Sequence, residues 1–175
     1  YLVEGKPEFM GNLYHTNHLW HTWSHLTESV MQGSSFKGDQ NKKGKDDWVE
    51  AFISAMHYRG VSQGKILAMM IDLSNVKKVL DVGGGSAAFS IEIVKKNSAI
   101  KAAVLDLPHV IPLTKKYVSE AGLMDNFNFI EGDYLTKDLE SGYDLILLSA
   151  IVHINSYEQN KMLVKKCEDA LNKNG

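Results

Sequence analysis

Short apolar runs alternate with longer amphipathic segments from residue 77 to the end of this 175-residue chain. The short runs predict strands over residues 77–83, 100–106, 126–133 and 143–152. The segments between and after them predict helices over residues 86–97, 108–122 and 156–175. Strands and helices that alternate at this spacing form right-handed βαβ units around a parallel sheet. The alternation therefore predicts an α/β fold, whose ligand sites lie at the carboxyl ends of the strands.

The first part of the chain reads as helical. Residues 12–32 predict one amphipathic helix, with Gly33 as its stop. Residues 37–46 are polar and rich in lysine and glycine, which indicates an exposed loop and an internal boundary. Two further helices are predicted over residues 47–60 and 61–73. We therefore divide the chain into a helical lead-in, residues 1–45, and a main domain, residues 46–175.

Composition excludes several classes of partner. The chain has 19 basic and 21 acidic residues, so no positive charge favours nucleic acid. The longest nearly uncharged stretch, residues 145–154, is too short to span a bilayer, so we expect no membrane partner. Cys167 is the only cysteine, which excludes an internal disulfide and fits a reducing, cytoplasmic location.

A glycine-rich stretch, "LDVGGGSAAFS", follows the first predicted strand at residues 80–90. Gly83-x-Gly85-x-x-Ala88 fits the dinucleotide fingerprint, which implies hydride transfer with NAD(P). Asp81-x-Gly83-x-Gly85 also fits an acidic loop that holds S-adenosylmethionine, which implies methyl transfer. The glycines alone leave both possibilities open.

Acidic residues at the strand ends favour the second possibility. Asp81 would oppose a pyrophosphate at the glycine turn, whereas it would favour the positively charged sulfur and amino group of S-adenosylmethionine. Asp106 ends the second strand and can accept from ribose hydroxyls, which both cofactors carry. Gly132-Asp133 follows the third strand, where the acid can accept from an adenine amino group.

Four segments together resemble a known family. They are "KVLDVGGGS", "VLDLPHVI", "FNFIEGDYL" and "YDLILLSAIVHINSYEQNKMLVKKCEDAL". Over residues 46–175 the chain resembles the small-molecule O-methyltransferases typified by the plant caffeic acid and animal hydroxyindole enzymes. Residues 1–36 resemble the helical segment that joins the dimerisation region of this family to its catalytic domain. The resemblance implies a Rossmann-like sheet of the class I methyltransferase type. With four strands we expect the order 3-2-1-4, which leaves the apolar run of residues 145–148 at an edge. We therefore expect the sheet to be cut before a fifth strand.

The resemblance also implies a reaction. Such enzymes transfer a methyl group from S-adenosylmethionine to a hydroxyl of a small, aromatic acceptor, leave S-adenosylhomocysteine, and work as homodimers. A histidine after the fourth strand acts as the general base, which here is His153. The residues we expect at the donor are Asp81, Gly83, Gly84, Gly85, Asp106, Leu107, Asp133, Tyr134 and Ser149.

The chain departs from the family pattern at three positions. Ile154 follows the expected base where the family often has an acid, Ala87 replaces a glycine of the donor loop, and Ser149 stands where plant members often have a lysine. Two alternatives stay open. The glycine fingerprint leaves an NAD(P)-dependent oxidoreductase, and Ile154 together with the expected truncation favours a non-catalytic member of the methyltransferase fold. His18, His21 and His25 share one side of the first predicted helix but lack a completing ligand, so we expect no metal site.

Overall fold

The computed structural model describes residue 3, residues 9–34 and residues 45–175, with the backbone alone at positions 14, 18, 21 and 45–47. Backbone contacts divide the chain into two compact units, Tyr1–Arg59 and Gly60–Gly175. The domain boundary that we place after residue 45 stays a prediction. No helix in the described ranges has both the length and the apolar character needed to cross a membrane.

The first unit is helical. Its helices are α1 (Asn12–Trp23), α2 (Leu26–Gln32) and the beginning of α3 (Lys45–Met70). The prediction of one helix over residues 12–32 is wrong, because the chain turns at Ser24 and His25. The His25 amide donates to the Thr22 carbonyl, three residues earlier, which interrupts the α-helical ladder. Gly33 ends α2 in the left-handed conformation, as predicted.

The second unit contains the sheet. Its elements are β1 (Lys78–Val82), α4 (Ala88–Lys96), β2 (Lys101–Asp106), α5 (Ile111–Glu120), β3 (Phe127–Glu131), β4 (Leu145–Leu147) and α6 (Tyr157–Ala170). The strands pair in parallel in the order β3-β2-β1-β4, which confirms the predicted α/β fold and strand order. A capping box of Ser156 and Gln159 begins α6, because each side chain bonds the backbone amide of the other residue.

Helix α3 is continuous, so the prediction of separate helices over residues 47–60 and 61–73 is wrong. Gly60, at which the sequence predicts the end of a helix, lies inside α3. A Cβ at Gly60 would lie 2.8 Å from the Cβ of Ala88, and one at Gly64 would lie 3.1 Å from the Ala88 carbonyl oxygen. These glycines therefore allow α3 to pack closely on α4.

Strand β4 is much shorter than the predicted run of residues 143–152. Tyr143 makes only an isolated bridge to Leu171, and Ala150 adopts a left-handed backbone with φ of +56°. This backbone turns the chain away from the sheet, so Ser149 and His153 lie in a loop.

Apolar side chains alternate between the two faces of the sheet, and helices cover both. Leu80 and Val82 pack in one cluster with Leu163 and Cys167 of α6. Val79 packs in a second cluster, on the opposite face, with residues of α3 and α4. The unit therefore has three layers, with Cys167 as a buried thiol whose pKa is raised by burial.

Candidate functional site

The parallel sheet places the carboxyl ends of its strands at one edge. The glycine turn follows β1, Asp106 ends β2, Gly132-Asp133 follows β3, and Ser149 and His153 follow β4. The Gly83 amide donates to the Leu105 carbonyl and the Gly132 amide donates to the Asp106 carbonyl. These bonds join the first three of these segments directly.

Gly83 is a position that only glycine fits. Its φ of +64° is unfavourable for other residues, and a Cβ there would lie 2.8 Å from Cγ2 of Ile151 and 3.6 Å from Cε1 of Tyr134. The glycine turn therefore abuts both the loop after β3 and the loop after β4.

Ala87 shows how the chain accommodates the departure from the family glycine. It adopts φ of +61°, and its methyl group is fully buried in a cluster with Ile91 and Val104. A left-handed conformation is unfavourable for an alanine by about 1 kcal/mol. The methyl group of Ala87 therefore packs into the core.

Asp81 is a buried carboxylate directly against the glycine turn. Only 1% of the residue is exposed, and a Cβ on Gly84 would lie 2.7 Å from its Cγ. Ser90 Oγ donates to Oδ2 at 2.7 Å, whereas buried Oδ1 has no hydrogen-bond partner among the described residues. Burial raises the pKa of Asp81 to about 6, against the opposing effect of the Ser90 bond and with a further rise from the charge of Asp106.

Asp106 holds the glycine turn through both of its carboxylate oxygens. Its Oδ2 accepts from the Gly85 amide at 2.8 Å, and its Oδ1 accepts from the Leu107 amide at 2.7 Å. Burial raises its pKa, although these two bonds and the nearby His109 act in the opposite direction. No lysine or arginine in the described part of the chain forms an ion pair with Asp81 or Asp106. Two largely buried acids thus lie together without a permanently charged partner, which favours a positively charged ligand.

Asp133 and Tyr134 follow β3. Asp133 is exposed, and its Oδ1 accepts from the Leu135 amide at 2.8 Å in a tight turn, which leaves Oδ2 for a ligand. Tyr134 is partly buried beside Gly83, and its hydroxyl donates to Oδ1 of Asn155 at 3.0 Å. Burial raises the pKa of the Tyr134 hydroxyl.

His153 lies in a short 3₁₀ turn, Val152–Ile154, and is exposed. Within the described residues its imidazole makes no hydrogen bond or ion pair, and no acid bonds to it. Ile154, which follows it, is 66% exposed. Ser149 is half-buried in the preceding turn. The neighbouring Ile151 brings the His153 turn against Gly83.

Two buried hydroxyl residues of the site were missed by sequence reasoning. Ser90 binds Asp81, and Thr114 of α5 donates to the Gly85 carbonyl at 2.6 Å. Each is a polar residue on the buried face of an amphipathic helix. That pattern is a signal that sequence inspection alone can detect.

The described side chains contain no cluster of three or more potential metal ligands. The side chains of His18 and His21 lie outside the described residues, so the expectation of no metal there stays a prediction.

Comparisons with known proteins point to one family. A family model described as an O-methyltransferase domain matches residues 23–175. A 3-hydroxy-5-methyl-1-naphthoate 3-O-methyltransferase of Streptomyces sahachiroi is 30% identical over 181 residues, which cover 100% of this chain and 52% of the relative. An L-tyrosine C(3)-methyltransferase of Streptomyces lavendulae is 35% identical over 126 residues, which cover 72% of this chain and 34% of the relative.

A solved structure shows the same fold. The human N-acetylserotonin methyltransferase in complex with SAM superposes with a TM-score of 0.82 at 21% identity, covering 100% of this chain and 53% of that one. The chain thus spans about half, or less, of the length of the relatives that it matches.

Proposed function

This chain belongs to the O-methyltransferase domain family, and on that premise we propose that it binds S-adenosylmethionine and transfers the methyl group to a hydroxyl of a small aromatic molecule. The names of two matched proteins, a hydroxynaphthoate O-methyltransferase and an N-acetylserotonin methyltransferase, support an aromatic acceptor. The reaction would leave S-adenosylhomocysteine.

Buried Asp81 and half-buried Asp106, neither of which has a lysine or arginine partner among the described residues, support the choice of cofactor. Asp81 and Asp106 both have raised pKa values, and both contribute negative potential at the glycine turn. A pyrophosphate placed there would add negative charge to the same region. S-adenosylmethionine brings positive charge instead, so the site favours it over a dinucleotide.

The chain offers a separate group for each part of the donor. When bound, S-adenosylmethionine supplies a methyl carbon attached to a positively charged sulfur. Asp106 keeps free lone pairs for ribose hydroxyls, since each carboxylate oxygen accepts more than one hydrogen bond. The free Oδ2 of Asp133 can accept from the adenine amino group. Asp81, being buried, acts through its electric field. Gly83, Gly84, Gly85, Leu107, Tyr134 and Ser149 line the same edge.

His153 is the proposed general base. A phenol has a pKa of about 10, so its proton is removed most effectively at neutral pH by a positioned base. The exposed imidazole of His153 sits on the turn that abuts Gly83, and it has no competing partner among the described residues. It is therefore available to accept the proton of the acceptor hydroxyl.

Donor identity is tested by calorimetric titration of the full chain with S-adenosylhomocysteine and, separately, with NADH. We expect S-adenosylhomocysteine to bind and NADH not to bind. Asp106→Asn should weaken binding of S-adenosylhomocysteine, because it removes a charged acceptor for the ribose hydroxyls. Binding of NADH alone would instead establish the oxidoreductase alternative.

One observation favours a second candidate, a non-catalytic member of the family. No acid contacts His153 within the described residues, and Ile154 occupies the position where the family often has one. The two candidates are separated by comparing the full-length protein with its His153→Ala variant, using 3-hydroxy-5-methyl-1-naphthoate as the acceptor probe. An enzyme that uses His153 loses turnover on this change and keeps donor binding. A non-catalytic member shows no turnover in either protein. Measurable turnover that is equal in both proteins would remove His153 as the base.

We also propose that the full-length protein is a cytoplasmic homodimer. The single free thiol supports a reducing compartment. Helices α1 and α2 expose large apolar side chains, which supports association. They are Trp20, Trp23, Leu26, Val30 and Met31. Light scattering of the full-length protein should give twice the monomer mass.

A further inference from the structure

A chain of side-chain hydrogen bonds joins the loop after β3 to the turn that carries His153. The Tyr134 hydroxyl donates to Oδ1 of Asn155 at 3.0 Å. Nδ2 of Asn155 donates to Oδ1 of Asn160 at 3.1 Å. Nδ2 of Asn160 donates to the Val152 carbonyl at 2.8 Å. Val152 directly precedes His153, so the chain ends at the backbone of the proposed base.

The three bonds all run in one direction. Each asparagine accepts through its carbonyl oxygen and donates through its amide nitrogen, so each amide orientation is fixed by its two partners. Bonds aligned in this way polarise and strengthen one another. Exchanging either asparagine for aspartate would remove a donor and break the chain at a defined link.

Both ends of the chain are anchored independently. At one end, Nζ of Lys166 donates to three backbone carbonyls of the loop after β3, at 3.1, 3.1 and 2.8 Å. At the other end, Ile151 is buried, and the Ile154 amide donates to its carbonyl at 3.2 Å. The chain thus links two loops that the fold already holds, and one of them carries Asp133 and Tyr134 of the proposed donor site.

We propose that Asn155 and Asn160 are positioning residues, which couple occupation of the donor site to the placement of His153. Donor contacts at Asp133 and Tyr134 shift the loop after β3, and the asparagines transmit this shift to the His153 turn. The asparagines would thus help to orient His153 in this protein, which has Ile154 at the position where the family often has an acid. The inference rests on the proposed function, because it requires donor binding.

Two variants, each made in the 175-residue chain, break the series of hydrogen bonds at different links. Asn160→Asp keeps the acceptor for Asn155 and loses the donor to Val152, and Tyr134→Phe removes the hydroxyl that begins the chain. Their matched controls are Asn128→Asp, which makes the same change in charge at an exposed position of β3, and Tyr157→Phe, which changes an exposed residue at the start of α6.

Hydrogen exchange of the ligand-free protein measures whether the chain holds the turn. The Ile154 amide should exchange roughly 2- to 10-fold faster in Asn160→Asp and Tyr134→Phe, the range expected for losing one hydrogen bond. Its rate should be unchanged in both controls. Equal rates in all five proteins would overturn the proposal.

Nuclear magnetic resonance then measures the coupling between the donor site and His153. If the asparagines had only a structural role, breaking the hydrogen bonds would leave the ligand-induced shift of the His153 resonance unchanged. Saturating S-adenosylhomocysteine should shift the imidazole Cε1–H resonance of His153 in the wild type and both controls. The shift should fall by at least half in Asn160→Asp, a change outside the proposed donor site, while S-adenosylhomocysteine still binds this variant. A full shift in Asn160→Asp would overturn the coupling and leave the proposed function intact. Failure of the wild type to bind S-adenosylhomocysteine would instead overturn the proposed function and the coupling together.

Discussion

Asp81 combines an unfavourable burial with a favourable position for ligand binding. Its carboxylate is removed from water, Ser90 Oγ donates to Oδ2, and Oδ1 has no hydrogen-bond partner among the described residues. An arrangement of this kind destabilises the folded protein at neutral pH and is retained where function requires the charge. Asp81 and the glycines at positions 83 and 85 could be recognised from their spacing in the sequence. Ser90 and Thr114 could not be assigned as partners, because their contacts depend on how α4 and α5 pack.

Asp81→Asn should flatten the dependence of stability on pH. Burial raises the pKa from 3.8 to about 6, so the folded protein binds this proton more tightly than the unfolded chain does. Stability is therefore lost as the pH rises from about 4 to 6 and stays lower above that, by about 3 kcal/mol. Urea unfolding at pH 4 and 7.5 measures the free energy of unfolding of both proteins. The variant should gain about 2 kcal/mol relative to the wild type between the two pH values, because part of the wild-type loss has already occurred at pH 4. An unchanged difference would contradict the assigned burial.

Gly83→Ala should impair donor binding through a steric conflict. Gly122→Ala is the matched control, because Gly122 has a similar φ of +70° and no atom lies within 4 Å of the position that its new methyl group would take. Both variants incur the left-handed strain of about 1 kcal/mol, and only Gly83→Ala also displaces Ile151. Calorimetry should show weaker S-adenosylhomocysteine binding in Gly83→Ala alone. Equal binding by the two variants would argue against the close approach at Gly83.

At the scale of elements, the sequence predicted helix and strand boundaries best where a single residue type, such as glycine, determines the backbone conformation. The stop at Gly33 and the alternation of strands and helices were both predictable. The continuity of α3 through Gly60 was not, because that glycine serves packing against α4. The break at Ser24 and His25 carries no proline or glycine to mark it. Strand β4 was overestimated because apolar residues continue into the loop that holds His153.

Ser156→Ala tests the capping box that sets the start of α6. The Ser156 hydroxyl accepts from the Gln159 amide, and the loss of such a cap destabilises a protein by about 1 kcal/mol. Ser119→Ala, an exposed change inside α5, should leave stability near the wild-type value. Chemical unfolding measures both, and equal stabilities would show that the cap does not hold α6.

At the scale of the whole molecule, the fold sets the electrostatics of the site. Parallel strands bring Asp81, Asp106 and Asp133 to one edge, although they are far apart in sequence. Asp81 is buried and Asp106 is half-buried, and salt screens buried or partly buried charges less than exposed ones. A negative site for a positively charged donor is therefore a property of the assembled sheet.

The most direct test of this account is calorimetric titration of S-adenosylmethionine into the full chain and its Asp81→Asn variant at pH 7.5. Asp81 is ionised there in the wild type, since its pKa is about 6. Removing one partly shielded charge within about 10 Å of a cation should weaken binding by roughly 10-fold. We predict this weaker binding of S-adenosylmethionine by an Asp81→Asn variant that retains its fold. Equal or tighter binding by folded Asp81→Asn would contradict the claim that the buried acid selects the cationic donor.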